Sequence, residues 1–148
     1  MGGWWYDTGN RERTRMMIYL AIPYTGIENT SFAVSTRIAG ELMRRGFNVY
    51  SPITHSHEIA KVCELPTEWD YWEGVDREYI RACSELMVVC IDGWNESTGV
   101  RAEIKYADEI GIQVHFLTRI KSEKFDGMRF VSPRLQTPIE IYTTKKKG

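Results

Sequence analysis

The chain has 148 residues, of which 43% are hydrophobic, and a formal net charge of -1 at pH 7. This length and composition predict one domain with its own core, and no apolar run is long enough to cross a membrane. The balanced charge provides no broad basic surface for duplex nucleic acid. The first residues do not follow the pattern of a secretory signal, so we expect a cytoplasmic protein.

The spacing of cysteines and histidines matches no metal or disulfide pattern. Cys63, Cys83 and Cys90 are an odd number without C-x-x-C spacing, which disfavours both a disulfide scaffold and a structural zinc site. We expect Cys83 and Cys90 to fill the core. His55 and His57 fit neither a zinc pattern nor two ligands on one helix face. Structural or substrate-lining roles are the better interpretation of these histidines.

Three parts of the chain differ in pattern. Residues 1–15 mix Gly, Trp, Tyr, Asn and Arg without a period, which predicts a poorly ordered arm. Trp4 and Trp5 of this arm can dock on the body or on a second subunit. Residues 16–118 carry the predicted domain, and residues 119–148 form a C-terminal extension whose final lysines we interpret as a solvated basic patch.

Continuous apolar runs predict the strands. Each run is short and bounded by turn residues, as in strands that are covered on both faces. The four runs are residues 16–22, 47–50, 86–92 and 114–117. Two further segments, 128–131 and 139–142, can form short strands, but the pattern does not place them in a sheet.

Apolar residues at helical spacing predict three helices between these strands. The first begins at a Ser31 cap and ends at Gly46, the second covers 69–83, and the third covers 98–110. The stretch 51–66 is predicted as a loop. Because a strand, a helix and a strand of these lengths form a parallel pair joined by a crossover, we expect an α/β fold. Its sheet should be mostly parallel, with four or five strands and a site at their carboxyl ends.

An acidic residue on the apolar stripe of the third helix singles out Glu103. Its neighbours on that stripe are Val100, Ile104 and Ala107. Buried carboxylates are rare unless they are paired, protonated or functional. Gly99 lies one turn earlier, where the absence of a side chain leaves space above the carboxyl group.

Asp76 repeats this anomaly in the helix predicted over 69–83. The inward stripe of that helix runs through Trp72, Val75 or Asp76, Tyr79 or Ile80, and Cys83. A boundary position or an arginine partner would explain either acidic residue alone. Two such residues in neighbouring helices favour a functional site.

Three segments together resemble the nucleoside 2-deoxyribosyltransferase-like superfamily, and within it a small bacterial and phage branch of unassigned function. They are residues 18–24, Asp76 with Ile80 and Ser84, and residues 97–103, in the order and context of that superfamily. The resemblance covers residues 18–117. It implies a flavodoxin- or Rossmann-like fold of three layers and an enzyme that needs neither a metal nor an organic cofactor.

The resemblance implies a role for both acidic residues. Glu103 matches the nucleophile that attacks the anomeric carbon, and Asp76 matches the aspartate that contacts the base or assists its protonation. Cleavage of an N-glycosidic bond builds positive charge on the sugar and negative charge on the base, so this pair would stabilise both ends. Tyr19 matches the tyrosine that positions the nucleophile, although an ordinary strand tyrosine explains it equally well.

The position of Ser97 distinguishes two activities within the superfamily. The transferases usually have an aspartate there, which binds the sugar 5′-hydroxyl, whereas the nucleotide N-hydrolases have a serine followed by Gly-Val, as at Gly99 and Val100. A serine and free amides at a helix N-terminus suit a phosphate, but a plain helix cap also explains Ser97. Arg101 and Ala102 depart from the small or aromatic residues that usually precede the glutamate.

The function predicted on this basis is N-glycosidic cleavage of a (deoxy)nucleoside 5′-monophosphate through a glutamate nucleophile. Pro23, Tyr24 and Asp92, which follow predicted strands, complete the expected substrate-binding set. A base-exchanging nucleoside 2-deoxyribosyltransferase and a non-catalytic nucleotide sensor are the alternatives. The surplus of tryptophans predicts a homodimer or a higher homo-oligomer, without a duplex nucleic acid or membrane partner.

Overall fold

A six-stranded sheet with the strand order β2-β1-β3-β4-β5-β6 organises the chain. The computed structural model describes residues 16–121 and 123–142. The predicted arm with Trp4 and Trp5 and the C-terminal lysines lie outside these residues. The strands are β1 (Met17–Ala21), β2 (Asn48–Tyr50), β3 (Glu85–Cys90), β4 (Gln113–Ile120), β5 (Gly127–Val131) and β6 (Ile139–Tyr142).

Helices separate the first four strands along the chain. They are α1 (Glu28–Arg44), α2 (Pro52–Val62), α3 (Trp69–Ala82) and α4 (Thr98–Ile110), with a 3-10 turn at Trp94–Glu96. The α/β class predicted from the sequence is therefore confirmed. Among the described residues, no helix is both long and apolar enough to span a membrane.

The sheet is mixed, so the expectation of a mostly parallel sheet with four or five strands is wrong. β1 pairs in parallel with β2 and β3, and β3 pairs in parallel with β4. β5 then pairs antiparallel with β4, and β6 antiparallel with β5. The connections before β5 and β6 are too short for the crossover that a parallel strand requires, so each can only reverse the chain direction.

β1 is buried on both faces and divides the core into two layers. Ile18 and Leu20 pack in a cluster that contains Ile38 of α1. Tyr19 and Ala21 point to the opposite face, in a cluster with residues of α3 and α4. Because successive strand side chains alternate between faces, this register places Tyr19 on the side of the sheet that carries Asp76 and Glu103.

Two predicted local features are wrong. α1 begins at Glu28, and Ser31 lies inside this helix, where its Oγ donates a hydrogen bond to the Pro23 carbonyl. The predicted loop 51–66 is largely helix α2, because Ser51 accepts a hydrogen bond from the Thr54 amide and Pro52 occupies the first helical position. The two histidines therefore stand on a helix.

A buried ion cluster fastens the C-terminal strands to the parallel part of the sheet. Glu85, at the start of β3, accepts hydrogen bonds from Arg134 Nε at 2.9 Å and from His115 Nε2 at 2.9 Å. Burial pushes the pKa of Glu85 up, but these two partners together bring it below its ordinary value. Because Arg134 follows β5, this contact joins residues that are far apart in sequence.

Candidate active site

A pocket of about 590 Å³ opens where β1, β2 and β3 end. Since the three strands are parallel, their carboxyl ends share one edge of the sheet, where α/β proteins usually bind ligands. Seven of the predicted site residues line it: Pro23, Tyr24, Asp76, Asp92, Ser97, Gly99 and Glu103. The other two, Tyr19 and Val100, have fully buried side chains that lie outside the lining.

Glu103 lies at the bottom of this pocket on the inward face of α4. Its side chain reaches the lining, yet the residue is only 5% exposed. Burial raises the pKa of Glu103 to about 8, and the nearby charge of Asp76 adds to the increase, whereas the Tyr19 hydroxyl lowers it. At neutral pH this carboxyl group is therefore largely protonated.

Tyr19, in β1, places its phenol beside Glu103. Its ring is fully buried in β1, and its hydroxyl has no hydrogen-bond partner of ordinary distance and angle among the described residues. Burial, followed by the charge of Glu103, raises the pKa of Tyr19 well above its ordinary value. The phenol thus keeps its proton and is suited to donate a hydrogen bond to the Glu103 carboxyl group.

Asp76 enters the pocket from α3. The sequence pattern allowed either Val75 or Asp76 to face inward. Val75 is 47% exposed and Asp76 lines the pocket, so Asp76 is the inward residue. Burial raises the pKa of Asp76 to about 7. Among the described residues, neither Asp76 nor Glu103 has a Lys, Arg or His within ion-pair distance. No arginine in the described part of the chain therefore accounts for either carboxyl group.

Ser97 caps the N-terminus of α4. Its Oγ accepts a hydrogen bond from the Val100 amide at 3.3 Å, so Val100 does not contribute the free amide expected of it. The amides of Thr98 and Gly99 belong to the first helical turn, whose N–H groups have no carbonyl partner within the helix. Thr98 lines the pocket, although the sequence pattern did not single it out.

Trp69 partly fills the space expected above Gly99. A Cβ atom at position 99 would lie 3.3 Å from the Cε3 atom of the Trp69 indole, so glycine allows this close approach. Trp72, one turn further along α3, donates from its indole nitrogen to the Pro66 carbonyl at 2.7 Å. Both rings line the pocket. Their spacing, i and i+3 on one helix, is the signal that could have found them.

His57 forms the wall on the α2 side and was only a general candidate in the sequence. It is 6% exposed, its Nδ1 lies 2.9 Å from the Tyr24 hydroxyl, and its ring stacks on Phe32. His55 instead points to the aromatic rings of Tyr50 and Tyr79, outside the lining. Of the two histidines, His57 lines the pocket and His55 does not.

A family comparison covers the whole of this pocket. The model of a domain of unknown function, DUF1937, matches residues 16–119. The chain belongs to the DUF1937 family. No curated protein matches the chain. The matched segment includes every residue of the lining, from Ile22 to Glu103, so the pocket lies within the DUF1937 domain itself.

The pocket of this DUF1937 domain is acidic. Among the described residues, its lining contains six carboxyl groups and neither lysine nor arginine. The carboxyl groups belong to Glu68, Asp70, Asp76, Asp92, Glu96 and Glu103. The domain therefore combines the buried carboxyl group of Glu103, the half-buried one of Asp76, four exposed ones at the rim, and the aromatic rings of Tyr24, Trp69 and Trp72.

Proposed function

We propose that this domain cleaves the N-glycosidic bond of a nucleoside-type substrate, with Glu103 as the nucleophile. The observation that carries the proposal is a buried carboxyl group in a pocket large enough for a nucleoside, with no cationic partner among the described residues. The resemblance to the nucleoside 2-deoxyribosyltransferase-like superfamily supports it. So does the Tyr19 hydroxyl, which lies beside the carboxyl group that it would position.

The reaction uses the two carboxyl groups in opposite protonation states. A Glu103 oxygen forms a bond to the anomeric carbon while the bond from that carbon to the base nitrogen breaks, and Asp76 gives its proton to the departing base. Water or a second base then attacks the anomeric carbon and releases Glu103. Because the pKa of Glu103 is about 8 and that of Asp76 about 7, the pair holds one proton between these pH values, and that proton rests mainly on Glu103. It must pass to Asp76 before the Glu103 carboxylate attacks.

The fold of the superfamily is part of the proposal. The parallel strands β1 to β4 lie between one apolar cluster with α1 and another with α3 and α4. This layering supports a flavodoxin- or Rossmann-like core. We propose that β5 and β6 are an antiparallel addition to this core. We also propose the cytoplasm as its compartment, the location expected for a nucleoside-processing enzyme.

The 5′ end of the substrate separates hydrolase-like from transferase-like activity. The monophosphate predicted from Ser97 stays a prediction, supported by the Ser97 hydroxyl and the amides of Thr98 and Gly99. Two features favour the alternative, a nucleoside without a phosphate. The Val100 amide already donates a hydrogen bond to Ser97, and the acidic lining would repel a phosphate. We therefore propose the nucleoside as the better substrate, whether the acceptor is water or a base.

Release of free base tests the proposal directly. The protein is incubated with a panel of nucleosides and their 5′-monophosphates, and free base is measured by chromatography. Release of base from at least one compound of the panel would support hydrolysis. Exchange of that base for a second, added base would support transfer. Thermal stabilisation by a ligand without any release of base would favour the non-catalytic sensor instead.

Replacing Asp76 with asparagine should slow poor leaving groups more than good ones. A base that departs as an anion needs a proton, and general acids contribute about 100- to 10,000-fold to such steps. The Asp76→Asn variant should therefore show a steeper dependence of kcat on the leaving-group pKa than the wild type. Asp108→Asn, an exposed change on α4, is the matched control. Equal slowing across the series would reduce Asp76 to a positioning role.

We further propose that a second copy covers the exposed apolar side chains of α2 and α3. Val62 is 75% exposed, and Ile59, Tyr71 and Val75 are also exposed. Light scattering at micromolar concentration should give at least a dimer mass. Val75→Glu should lower that mass, because a charge in an interface core is costly, whereas Ile110→Glu at the far end of α4 should not. A monomer mass for the wild type would contradict the proposal.

A further inference from the structure

The charge and the aromatic rings of the pocket indicate which base it accepts. Resting on the proposed function, we infer that the preferred substrate is a nucleoside whose base carries a positive charge. Such N-glycosides include nucleosides methylated on a ring nitrogen and pyridinium ribosides. The inference depends on three observations: unpaired carboxyl groups, indole rings beside them, and the absence of a metal-binding cluster among the described residues.

The carboxyl groups of the rim come from two segments of the chain. Glu68 and Asp70 stand at the start of α3, and Asp92 and Glu96 lie in the segment that follows β3. Within residues 16–121 and 123–142, none of these four forms an ion pair. Like charges that line one opening focus a negative potential into it, which attracts a cation and repels an anion.

The aromatic rings make an organic cation a better fit than a neutral base. Trp69 and Trp72 both line the pocket, and the Trp69 ring is held against the helix at Gly99. Tryptophan is the best ring for cation–π attraction, and a flat cationic base can also stack on it. A neutral base would gain only the stacking and would leave the negative potential of the rim uncompensated.

A bound metal ion is a poorer explanation of this charge. No group of three His, Cys, Asp or Glu side chains in the described part of the chain is arranged to hold a metal. The six carboxyl groups are instead distributed around a volume of about 590 Å³. An extended cation that contacts several of them through its ring fits this distribution better than a point charge.

A cationic base also suits the chemistry of Glu103. When Glu103 attacks the anomeric carbon, the electron pair of the breaking bond goes to the base nitrogen and neutralises the ring. The base then leaves as a neutral molecule and needs no proton. Turnover of such a substrate should therefore be much less sensitive to Asp76→Asn than turnover of adenosine or its 2′-deoxy form.

The matched probes are 1-methyladenosine, which is cationic at neutral pH, and its neutral isomer N6-methyladenosine, each with ribose and with 2-deoxyribose. Affinity is measured by calorimetry on the wild type and on Glu103→Gln, which is expected to bind without cleavage. We expect the cation to bind at least about tenfold more tightly at low salt, with a preference that shrinks as the salt concentration rises.

Rim variants identify the source of the preference. Glu68→Gln combined with Asp70→Asn should reduce the preference for the cation at least about threefold. The control is Glu78→Gln, which removes a carboxyl group of α3 that pairs with Arg81 outside the lining and should leave the preference unchanged. Equal affinity for the two isomers, or an unchanged preference in the rim variant, would overturn the inference.

Two further outcomes distinguish this inference from the proposed function. A clear preference for the cation without any release of base from the wild type would keep the inference and contradict the catalytic role of Glu103. Base release at equal rates from cationic and neutral substrates would support the catalytic role of Glu103 and contradict the preference for a cationic base. Stabilisation of the protein by Ca²⁺ or Mg²⁺ alone, to the same extent as by 1-methyladenosine, would replace the organic cation with a metal.

Discussion

Glu103→Gln is expected to abolish turnover and, at the same time, to make the protein more stable at alkaline pH. Glutamine keeps the shape of the side chain but cannot form a covalent bond to the sugar, so kcat/KM should fall at least about 1,000-fold. The affinity for a nucleoside should change much less, because most contacts of the pocket remain. Base release under saturating substrate, compared with binding by calorimetry, separates these two effects.

The stability effect follows from the raised pKa of Glu103. The folded protein holds the proton of Glu103 up to about pH 8, whereas the unfolded chain releases it near 4.5. The stabilising contribution of this protonated group is therefore complete below pH 4.5 and is lost as the pH rises through 8. Glutamine does not ionise, so Glu103→Gln should gain roughly 2 to 4 kcal/mol over the wild type between pH 5 and pH 8.

Urea unfolding at pH 5 and pH 8 measures this gain. The matched control is Glu109→Gln, which removes an exposed carboxyl group from the same helix and should leave the pH dependence of the wild type unchanged. If Glu103→Gln and the wild type lose stability in parallel, Glu103 is not held protonated by the fold. Near-normal turnover by the variant would remove Glu103 from the mechanism, whatever its effect on stability.

Features that depend on local signals could be predicted from the sequence. α4 runs from Thr98 to Ile110 as expected, because Ser97 caps its start and Gly111 ends it with a φ of 80°. The inward position of Glu103 followed from helical spacing, whereas the spacing in α3 left Val75 and Asp76 as alternatives that only the structure separates. The strand β6 also has its expected bounds, although its place in the sheet could not be inferred.

Features that depend on long-range contacts could not be predicted. The place of β5 and β6 depends on pairing at the edge of β4 and on Arg134 reaching Glu85, and no local pattern contains those contacts. The same reason explains the pocket wall, where His57 meets Tyr24 across a separation of 33 residues. A sequence period shows that a side chain faces inward, but not which distant residue it meets.

The role of Ser97 illustrates a different limit. A serine before a helix is typical both of a phosphate site and of a helix cap, and the sequence left both interpretations open. In the structure the Oγ of Ser97 accepts a hydrogen bond from the Val100 amide, as expected of a helix cap. Whether a phosphate would bind here depends on the charge of the surrounding side chains. These come from α3 and from the loop after β3, so the local sequence around Ser97 does not show them.

A nucleoside is expected to bind at least about tenfold more tightly than its 5′-monophosphate. The phosphate would enter past the four carboxyl groups of the rim, in a lining with neither lysine nor arginine among the described residues. One like-charge pair about 6 Å apart costs roughly 3 kcal/mol at an effective dielectric constant near 20, and salt weakens this repulsion at the rim. Calorimetry on Glu103→Gln with the two ligands gives the ratio.

Glu96→Lys should reverse this preference, because Glu96 lies directly before Ser97 and the lysine would add a cation beside the amides of Thr98 and Gly99. Glu109→Lys, the same change at the far end of α4, is the control for net charge.

Ser97→Asp should keep the helix cap and weaken the binding of the monophosphate further, because the added carboxylate repels the phosphate. Tighter binding of the monophosphate by the wild type, lost in Ser97→Asp, would contradict the nucleoside preference. It would assign Ser97 to a phosphate site whose hydroxyl and helix amides outweigh the surrounding carboxyl groups.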